Sequence, residues 1–469
     1  MTVLVVGAGP TGLALACGLL EGGARVRIVD AAPGPAGTSR ALGLQPRGVE
    51  VLDRLGALGD LPERGVEVRS VLVHVDRREI ARLRVGGVTK LVTRPGVMMS
   101  QAEVEGQLRA RLAELGAAVE WGHEVTALDH DGWIAGCDGA HSRIRKLAGI
   151  AFPGVPLIER FLLADVRADL PLDRTAVSTW VDGDRMFALF PLPGDDRWRI
   201  LAPEPPSAAD VAEPDRPAVL LRLLTEHTGL AAGLVTEVGW TSAFRIHRRL
   251  AGTYRAGRVL LAGDAAHVHS PFGGQGMNTG LGDAENLAWK LALVVTGRAD
   301  DRLLDTYEAE RRPIATEVLG STSAMTRLML GRTTAGRLVR DHVLVPLMNR
   351  GFVQRRIAEA SSQLRVSYRP GPLGSAYPGR RPRPGDRVAG LPWSELRGRW
   401  AVRTADGAVV AAARRRLGPD AVLVLPPDRG SAASLIRPDG HLASRGDAAR
   451  IDRWLTTALG VPPKVPAVA

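Results

Sequence analysis

Residues 263–290, GDAAHVHSPFGGQGMNTGLGDAENLAWK, decide how the rest of the chain is read. Val259 to Ala262 precede them as a short apolar strand, and Leu281, Ala284, Leu287, Leu291 and Val294 then recur at helical spacing. Strand, Gly-rich turn and amphipathic helix follow one another without a break. That order collects unpaired backbone N–H groups and the positive end of a helix dipole at one place, which suits a phosphate or an anionic ring. Gly273, Gly274, Gly276 and Gly280 let a flat ligand approach the backbone where a Cβ would stand in the way. Without a ligand, the same residues read simply as a Gly-rich turn between strand and helix.

A second stretch of the same kind opens the chain. Val3 to Val6 is a short buried-type strand that runs into Gly7-Ala8-Gly9-Pro10-Thr11-Gly12, a helical pattern continues to Leu20, and a second strand, Arg25 to Val29, ends in Asp30. A G-x-G-x-x-G alone is weak. Here strand, glycines, helix, second strand and terminal acid agree on a dinucleotide site, with the glycines admitting a pyrophosphate and Asp30 placed for ribose hydroxyls.

Length and composition bound the remaining possibilities. The 469 residues, 45% of them hydrophobic, are enough for two or three domains with sizeable cores. The net charge of +11 is carried mainly by Arg spread along the chain, and no nucleic-acid motif accompanies it. Nucleic acid is therefore not an expected partner. Cys17 and Cys137 form neither a CxxC nor a metal-ligand spacing, so no metal is expected and a reducing cytoplasm is the expected compartment. Residues 3 to 20 are apolar but lack a basic n-region and are broken by GAGPTG, and no other run reaches membrane-spanning length. A soluble protein is expected.

Between the two glycine stretches, Arg40 follows the second strand, Gln45-Pro46-Arg47 opens a helix through Leu55, and residues 66 to 94 alternate as short strands. Gln101 starts a helix running to Leu115, and Val119 to Val125 reads as a strand. Trp133 to Asp138 is a strand ending in Asp-Gly, with Ser142 suited to cap a helix that carries Arg145 on its first turn.

GAGPTG with its terminal acid, DGAHSRIR (138–145), the 263–290 segment and Leu304 to Pro313, LDTYEAERRP, together resemble the group A flavin monooxygenases. The closest subgroup is the aromatic hydroxylases that tailor polyketides and antibiotics, similar to rifampicin monooxygenase and the angucycline hydroxylases, and more distantly to p-hydroxybenzoate hydroxylase. The resemblance covers nearly the whole chain. It implies FAD as cofactor and NADPH or NADH as co-substrate. It implies transfer of one oxygen atom of O2, through a flavin C4a-hydroperoxide, to a polycyclic aromatic or phenolic substrate. On the motif positions it assigns Gly7, Gly9, Gly12, Asp30, Arg40, Gln101, Asp138, Asp264, Gly274, Gly276, Met277 and Asn278 to FAD. Arg40 and Pro271 fall beside the reacting ring, and Phe187, Trp240 and Phe272 are substrate candidates, with Phe190 and Phe244 as further candidates for the lining.

The fold implied is an α/β Rossmann-like FAD-binding domain with an inserted, mainly antiparallel β-sheet substrate domain, a helical linker and a thioredoxin-like C-terminal domain without redox cysteines. The expected boundaries are 1–150 and 251–365 for the FAD-binding domain, 151–250 for the insert, 366–385 for the linker and 386–469 for the terminal domain, in a monomer or homodimer. One departure stands out. Between Thr126 and Trp133 relatives carry a further pair of strands, which this chain lacks. That departure, with the Cys-free terminal domain, leaves a catalytically impaired aromatic-binding protein as one alternative to hydroxylation; a Baeyer–Villiger monooxygenase of the same family, which would look nearly identical in sequence, is the other. A flavin halogenase is disfavoured because no Trp-x-Trp-x-Ile-Pro segment occurs.

Overall fold

A strand buried on both faces needs apolar side chains on both, and Trp133–Gly136, which has them, lies in the middle of a six-stranded sheet built from distant parts of the chain. The computed structural model describes residues 1–37, 41–85, 87–89, 91–182, 185–204, 212–268, 274–330, 345–375, 382–428 and 432–460. For residues 156–159, 245–247, 321–330 and 345–346 the backbone alone is described. The order across the sheet is Arg255–Ala256, Val259–Leu261, Trp133–Gly136, Thr2–Val6, Arg25–Asp30 and Val119–Trp121. Trp133–Gly136 runs parallel to both neighbours, pairing Val6 with Gly136 on one side and Leu261 with Gly136 on the other.

Two helices lie against each other beside this sheet. Pro10–Glu21, the fingerprint helix, and Gly276–Val295, the central helix, approach closely because each contact pairs a small residue with a glycine. A Cβ at Gly18 would stand 2.7 Å from that of Ala288, and one at Gly22 would stand 2.5 Å from that of Ala292. At the ligand-facing end the roles reverse: Thr11 of the fingerprint helix fills the space left by Gly263 and Gly280. The local sequence reading missed how completely the central helix is buried. Asp283, Glu285, Asn286 and Lys290 on its polar face are as enclosed as Leu281 and Leu287.

The inserted sheet has eight strands, in the order His267–Val268, Val235–Leu250, Gly154–Ala168, Arg197–Pro203, Arg185–Pro191, Ala176–Asp182, Ser70–Val75 and Arg78–Arg84. Its last two strands come from residues expected to lie within the FAD-binding part. Ser70–Val75 pairs in parallel with Ala176–Asp182, which satisfies backbone groups that a free edge would leave open. Strand alternation divides the sheet into two faces. Leu162, Phe187, Leu189 and Ile200 point toward the helix Arg216–Thr228 and pack on Leu220, Leu223 and Leu224. Phe161, Ala188 and Leu201 form the opposite face, with the half-buried Phe190 and Phe244.

Asp305–Leu330 is a single long helix that contains Pro313. The terminal sheet runs Val422–Leu425, Trp400–Arg403, Ser434–Ile436 and Leu442–Arg445, with the helices Gly407–Leu417 and Ala448–Leu459 packed on it. Its apolar core is continuous with Trp289 and Leu293 of the central helix.

Gly280→Ala places a methyl group 2.3 Å from Thr11 Oγ1. Overpacking of this kind should cost about 1–3 kcal/mol in denaturant unfolding. Adding Thr11→Ala should restore most of that loss, since it removes the atom in the way.

Candidate functional site

The ends of the parallel strands and the starts of the two helices meet on one side of the six-stranded sheet. Gly7 sits at φ +104°, and a Cβ there would lie 2.4 Å from the Cys137 carbonyl oxygen. Gly12 is as constrained, since its Cβ would stand 1.9 Å from the Gly7 oxygen. Gly9 is different: it is the N-cap of the fingerprint helix, and a Cβ there would meet no atom within 4 Å. Two glycines therefore hold the turn while the third leaves open space at a helix N-terminus, as phosphate binding requires. The Asp30 carboxylate fixes the turn from behind, accepting the N–H of Ala8 at 2.7 Å and of Ala32 at 2.8 Å. Gln101 lies nearby, its backbone N–H bonded to the Ala41 carbonyl at 3.3 Å and its side chain donating to Glu105 at 2.7 Å.

Asp138 ends the central strand and organises the helix after it. Its Oδ2 accepts the N–H groups of Arg143 (2.6 Å) and Ile144 (3.0 Å), and its Oδ1 accepts the Ser142 hydroxyl at 2.5 Å. Ser142 caps the Arg145 N–H, as its residue type suggests. Among the described residues Arg145 forms no ion pair. It donates to the carbonyls of Ala140 and Ala265 and so ties the 138–145 turn to the 263–265 turn.

On that second turn Asp264 keeps an exposed side chain although protein surrounds it, which puts it on the floor of a concave opening. Desolvation by those surroundings raises its carboxyl above the ordinary value; Asp283 adds to the rise and His267 opposes it. Among the described residues its carboxylate accepts no hydrogen bond. Asp283, two turns into the central helix, is by contrast fully engaged by the Gly263 N–H (3.0 Å), His267 Nε2 (2.6 Å) and Arg311 Nε (2.7 Å).

Asn278 completes the arrangement. Its Oδ1 accepts the Gln45 N–H at 2.9 Å, and its Nδ2 donates to the carbonyls of Gly274 (2.9 Å) and Gly43 (3.2 Å). One amide thus joins the Gly-rich turn to the segment entering the helix Pro46–Arg54, called here the lateral helix. Gly274 (φ +60°) and Gly276 stand at the same helix start, and Met277 packs against the main core. Arg40, Pro271 and Phe272 lie outside the described residues, as does Gly273.

The substrate candidates separate. Phe187 is wholly buried under Arg216–Thr228, its ring stacked 5.6 Å from that of His227, and strand parity excludes it from the open face. Trp240 lies on the other face, opposite Asp165 and with the Arg199 guanidinium 5.6 Å away. Phe161 and Phe244 stack there at 6.1 Å. Among the described residues no cluster of His, Cys, Asp and Glu fits a metal, and no helix is long and apolar enough to cross a membrane.

This constellation has a close match among known proteins. The family model described as "FAD binding domain" covers residues 1–133 and 130–322. The chain belongs to the FAD-dependent aromatic monooxygenases. It is 35% identical over 472 residues to a rifampicin monooxygenase of Streptomyces venezuelae, with 95% of each chain covered. Identity to a 6-methylpretetramide 4-monooxygenase of Streptomyces rimosus is 38% over 402 residues, 79% of this chain and 70% of the other. The solved anhydrotetracycline hydroxylase of Streptomyces rimosus superimposes with a TM-score of 0.79 at 32% identity, covering 99% of this chain and 100% of that one. The two stretches of the family match overlap at residues 130–133. There the monooxygenase crosses from the edge strand Val119–Trp121 to the central strand by a short link. It is pinned by His130 to the Thr2 carbonyl (3.0 Å) and by Arg258 to the Asp131 carbonyl (2.8 Å).

Sequence reasoning missed a buried ionic cluster behind the site of this monooxygenase. The hairpin turn at Asp439 enters it from the terminal sheet. Asp439 is fully enclosed and accepts from Arg437 (Nε 3.1 Å), Trp289 Nε1 (3.2 Å) and Asn286 Nδ2 (3.3 Å), while its carbonyl accepts Arg47 Nη2 at 2.9 Å. Arg437 also forks onto Glu310 at 2.7 and 2.8 Å, and Lys290 reaches the same carboxylate at 2.7 Å. Arg47 bonds Glu285 at 2.8 Å, and Glu50 is held by Arg387. No local signal marked it, since each charge in DAENLAWK, EAERRP and RPDGH reads alone as an ordinary surface charge.

The cluster shifts its members' proton affinities. Burial alone raises Glu310, but Arg437 and Lys290 outweigh it and carry the carboxyl down to about 2. Burial pushes His441 down to about 4 against the attraction of Asp439, and lowers Lys290 to about 8 against that of Glu310.

Two measurements follow. Gly9→Ala should leave the unfolding temperature of the apoprotein unchanged but weaken FAD by about tenfold or more in a fluorescence titration, since the Cβ fills the phosphate approach. The second concerns acid. Between the ordinary histidine value of 6.5 and about 4, the folded chain binds fewer protons at His441 than the unfolded chain does. Stability is therefore lost as pH falls through that window, and Glu310 extends the loss from 4.5 down to about 2. An unfolding series should show the midpoint falling across the upper window, and His441→Gln should flatten the slope there.

Proposed function

We propose that this monooxygenase hydroxylates a polycyclic phenolic substrate, using NADPH or NADH and O2, in the tailoring or modification of an antibiotic-like compound. The observation that carries the reading is Asp264, an exposed carboxylate that accepts no hydrogen bond among the described residues, on the turn that precedes the central helix. It suits the hydroxyls of the ribityl chain, while Gly9 and the fingerprint helix suit the pyrophosphate and Asp30 with Gln101 the adenosine end. When bound, FAD supplies the redox chemistry, accepting a hydride from the nicotinamide and activating O2, so that one oxygen atom enters the ring and the other leaves as water.

The chain's own residues position and shield. N–H groups at the start of Gly276–Val295, with the helix dipole, stabilise negative charge at the pyrimidine edge of the flavin. On resemblance, Arg40 and Pro271 belong beside that ring, and Phe272 near the substrate. In the domain division proposed here, 1–150 with 251–365 binds FAD, 151–250 joined by the strands Ser70–Val75 and Arg78–Arg84 supplies the substrate wall, and 386–469 buttresses the central helix of the FAD-binding part. Phe161, Phe190 and Phe244 form an apolar aromatic wall that excludes water and accepts a flat ring by stacking. Similarity to a 6-methylpretetramide 4-monooxygenase and to a rifampicin monooxygenase supports a multi-ring substrate.

The test is the absorption spectrum of the purified protein, followed by anaerobic NADPH addition with and without a panel of polycyclic phenols. A flavin band that bleaches faster with one phenol supports a substrate-gated hydroxylase. Insertion of oxygen into a ring C–C bond would move the assignment to the Baeyer–Villiger class. A colourless protein that takes up no added FAD but still binds aromatic compounds would replace both with a binding protein whose shortened 122–132 link has disabled the cofactor site.

A further inference from the structure

We propose that Asp283 and Arg311 are positioning residues for the FAD site, fixing how the turn that carries Asp264 sits against the central helix, with Gly282 leaving the room that Arg311 needs. The inference rests on FAD occupying the site described above. Asp283 and Arg311 are both buried, so they act through the turn.

The turn Gly263–His267 lies between the sheets and the central helix. On the sheet side the Ala262 N–H at its entry reaches the Gly136 carbonyl (3.0 Å), Arg145 reaches the Ala265 carbonyl (2.9 Å), and the Ala266 carbonyl accepts the Ala251 N–H (2.7 Å). His267–Val268 also pairs with Val235–Leu250. None of these bonds reaches the central helix. Among the described residues every hydrogen bond from the turn to that helix ends on one atom, Asp283 Oδ2, which meets the Gly263 N–H at 3.0 Å and His267 Nε2 at 2.6 Å. One oxygen thus holds both ends of the turn, and Asp264 lies between them. Thr11 packs between Gly263 and Gly280, which sets how closely turn and helix approach but not which way the turn faces.

Arg311 keeps that oxygen in place. Its Nε donates to the other oxygen, Asp283 Oδ1, at 2.7 Å, and its Nη2 donates at 3.0 Å to the carbonyl of Thr279, one turn earlier on the same helix. A guanidinium bonded both to a carboxylate and to the helix that bears it stops the carboxylate from rotating. It also supplies charge: burial would raise the Asp283 carboxyl, but His267 and Arg311 outweigh burial and hold it below the ordinary value. Glycine is unfavourable inside a helix, yet a Cβ at Gly282 would stand 2.9 Å from Arg311 Nη2, which cannot withdraw without giving up the Thr279 carbonyl.

The experiment uses the full chain. Arg311→Met withdraws the guanidinium, while the helix that carries it, Asp305–Leu330, stays anchored by Glu308 to the Tyr254 N–H (2.9 Å) and by Glu310 to Lys290 (2.7 Å). Gly282→Ala pushes the guanidinium aside and removes no charge, and it decides the matter should Arg311→Met not fold. A double variant combines the two. Val422→Ala weakens the core of the terminal sheet and touches none of these bonds. FAD affinity, the visible circular dichroism of bound flavin at saturation, and the unfolding temperature of the apoprotein are measured for each.

The expected result is FAD binding weakened about tenfold in Arg311→Met and several-fold in Gly282→Ala, with an altered flavin dichroism band in both. The double variant binds FAD no more weakly than Arg311→Met, because the added methyl then has room. Val422→Ala keeps its FAD affinity even where its unfolding temperature falls as far. Unchanged FAD affinity in Arg311→Met and Gly282→Ala overturns the proposal. So do additive losses in the double variant, since Gly282 would then act apart from Arg311, and losses in strict proportion to stability with Val422→Ala included, since the pair would then be a general support. Failure of the unmodified protein to bind FAD would instead overturn the cofactor reading on which the proposal rests.

Discussion

A charge taken out of water must meet its opposite, and around Asp439 that requirement governs how three parts of the chain assemble. Arg47, Lys290 and Arg437 on one side and Glu285, Glu310 and Asp439 on the other leave no side chain of the cluster open to solvent. Such clusters add little net stability over well-packed apolar residues, because desolvation consumes most of the Coulomb gain. What they do impose is geometry. Loss of one member strands a partner, at a cost of about 3–5 kcal/mol, so the lateral, central and long helices and the terminal hairpin are accepted in one arrangement and penalised in others. The turns at Gly263 and Gly274 inherit that arrangement through Asp283 and Asn278, which lie on the same helix as Glu285 and Lys290.

The parts of this fold that were legible in the sequence are those whose cause is local. The fingerprint strand, turn and helix needed only Gly7, Gly9, Gly12 and Asp30, whose neighbours in space are mostly neighbours in sequence. Ser142 as a cap and Asp439-Gly440 as a hairpin turn are similarly local. Asp264 and Asn278 were assigned from motif position; in the structure the first is an exposed carboxylate and the second a bridging amide.

Less was legible where the partner is remote. Strand alternation grouped Phe187 with Leu189 and Phe190 with Ala188, but nothing nearby states which group meets the helix Arg216–Thr228. Phe187 was therefore misplaced at the wall. Ser70–Val75 reads as a plain amphipathic strand, and its membership of the inserted sheet depends on Ala176–Asp182, about a hundred residues later. The ionic cluster is the extreme case. Arg47 and Asp439 are separated by 392 positions, and each alone looks like an ordinary surface charge.

The place of Trp133–Gly136 between Thr2–Val6 and Val259–Leu261 has a consequence for the order in which the molecule is made. During synthesis the first strand emerges early, but the sheet lacks its outer parallel strand until residue 261 has left the ribosome, and the inserted sheet must be threaded out in between. Pairings this far apart in sequence carry a high entropic cost before they return any energy, so assembly is slow and late. A nascent chain that stops short of the terminal hairpin leaves Glu310 without the Arg437 fork and Arg47 without the Asp439 carbonyl, which makes truncated products ready targets for chaperones and proteases.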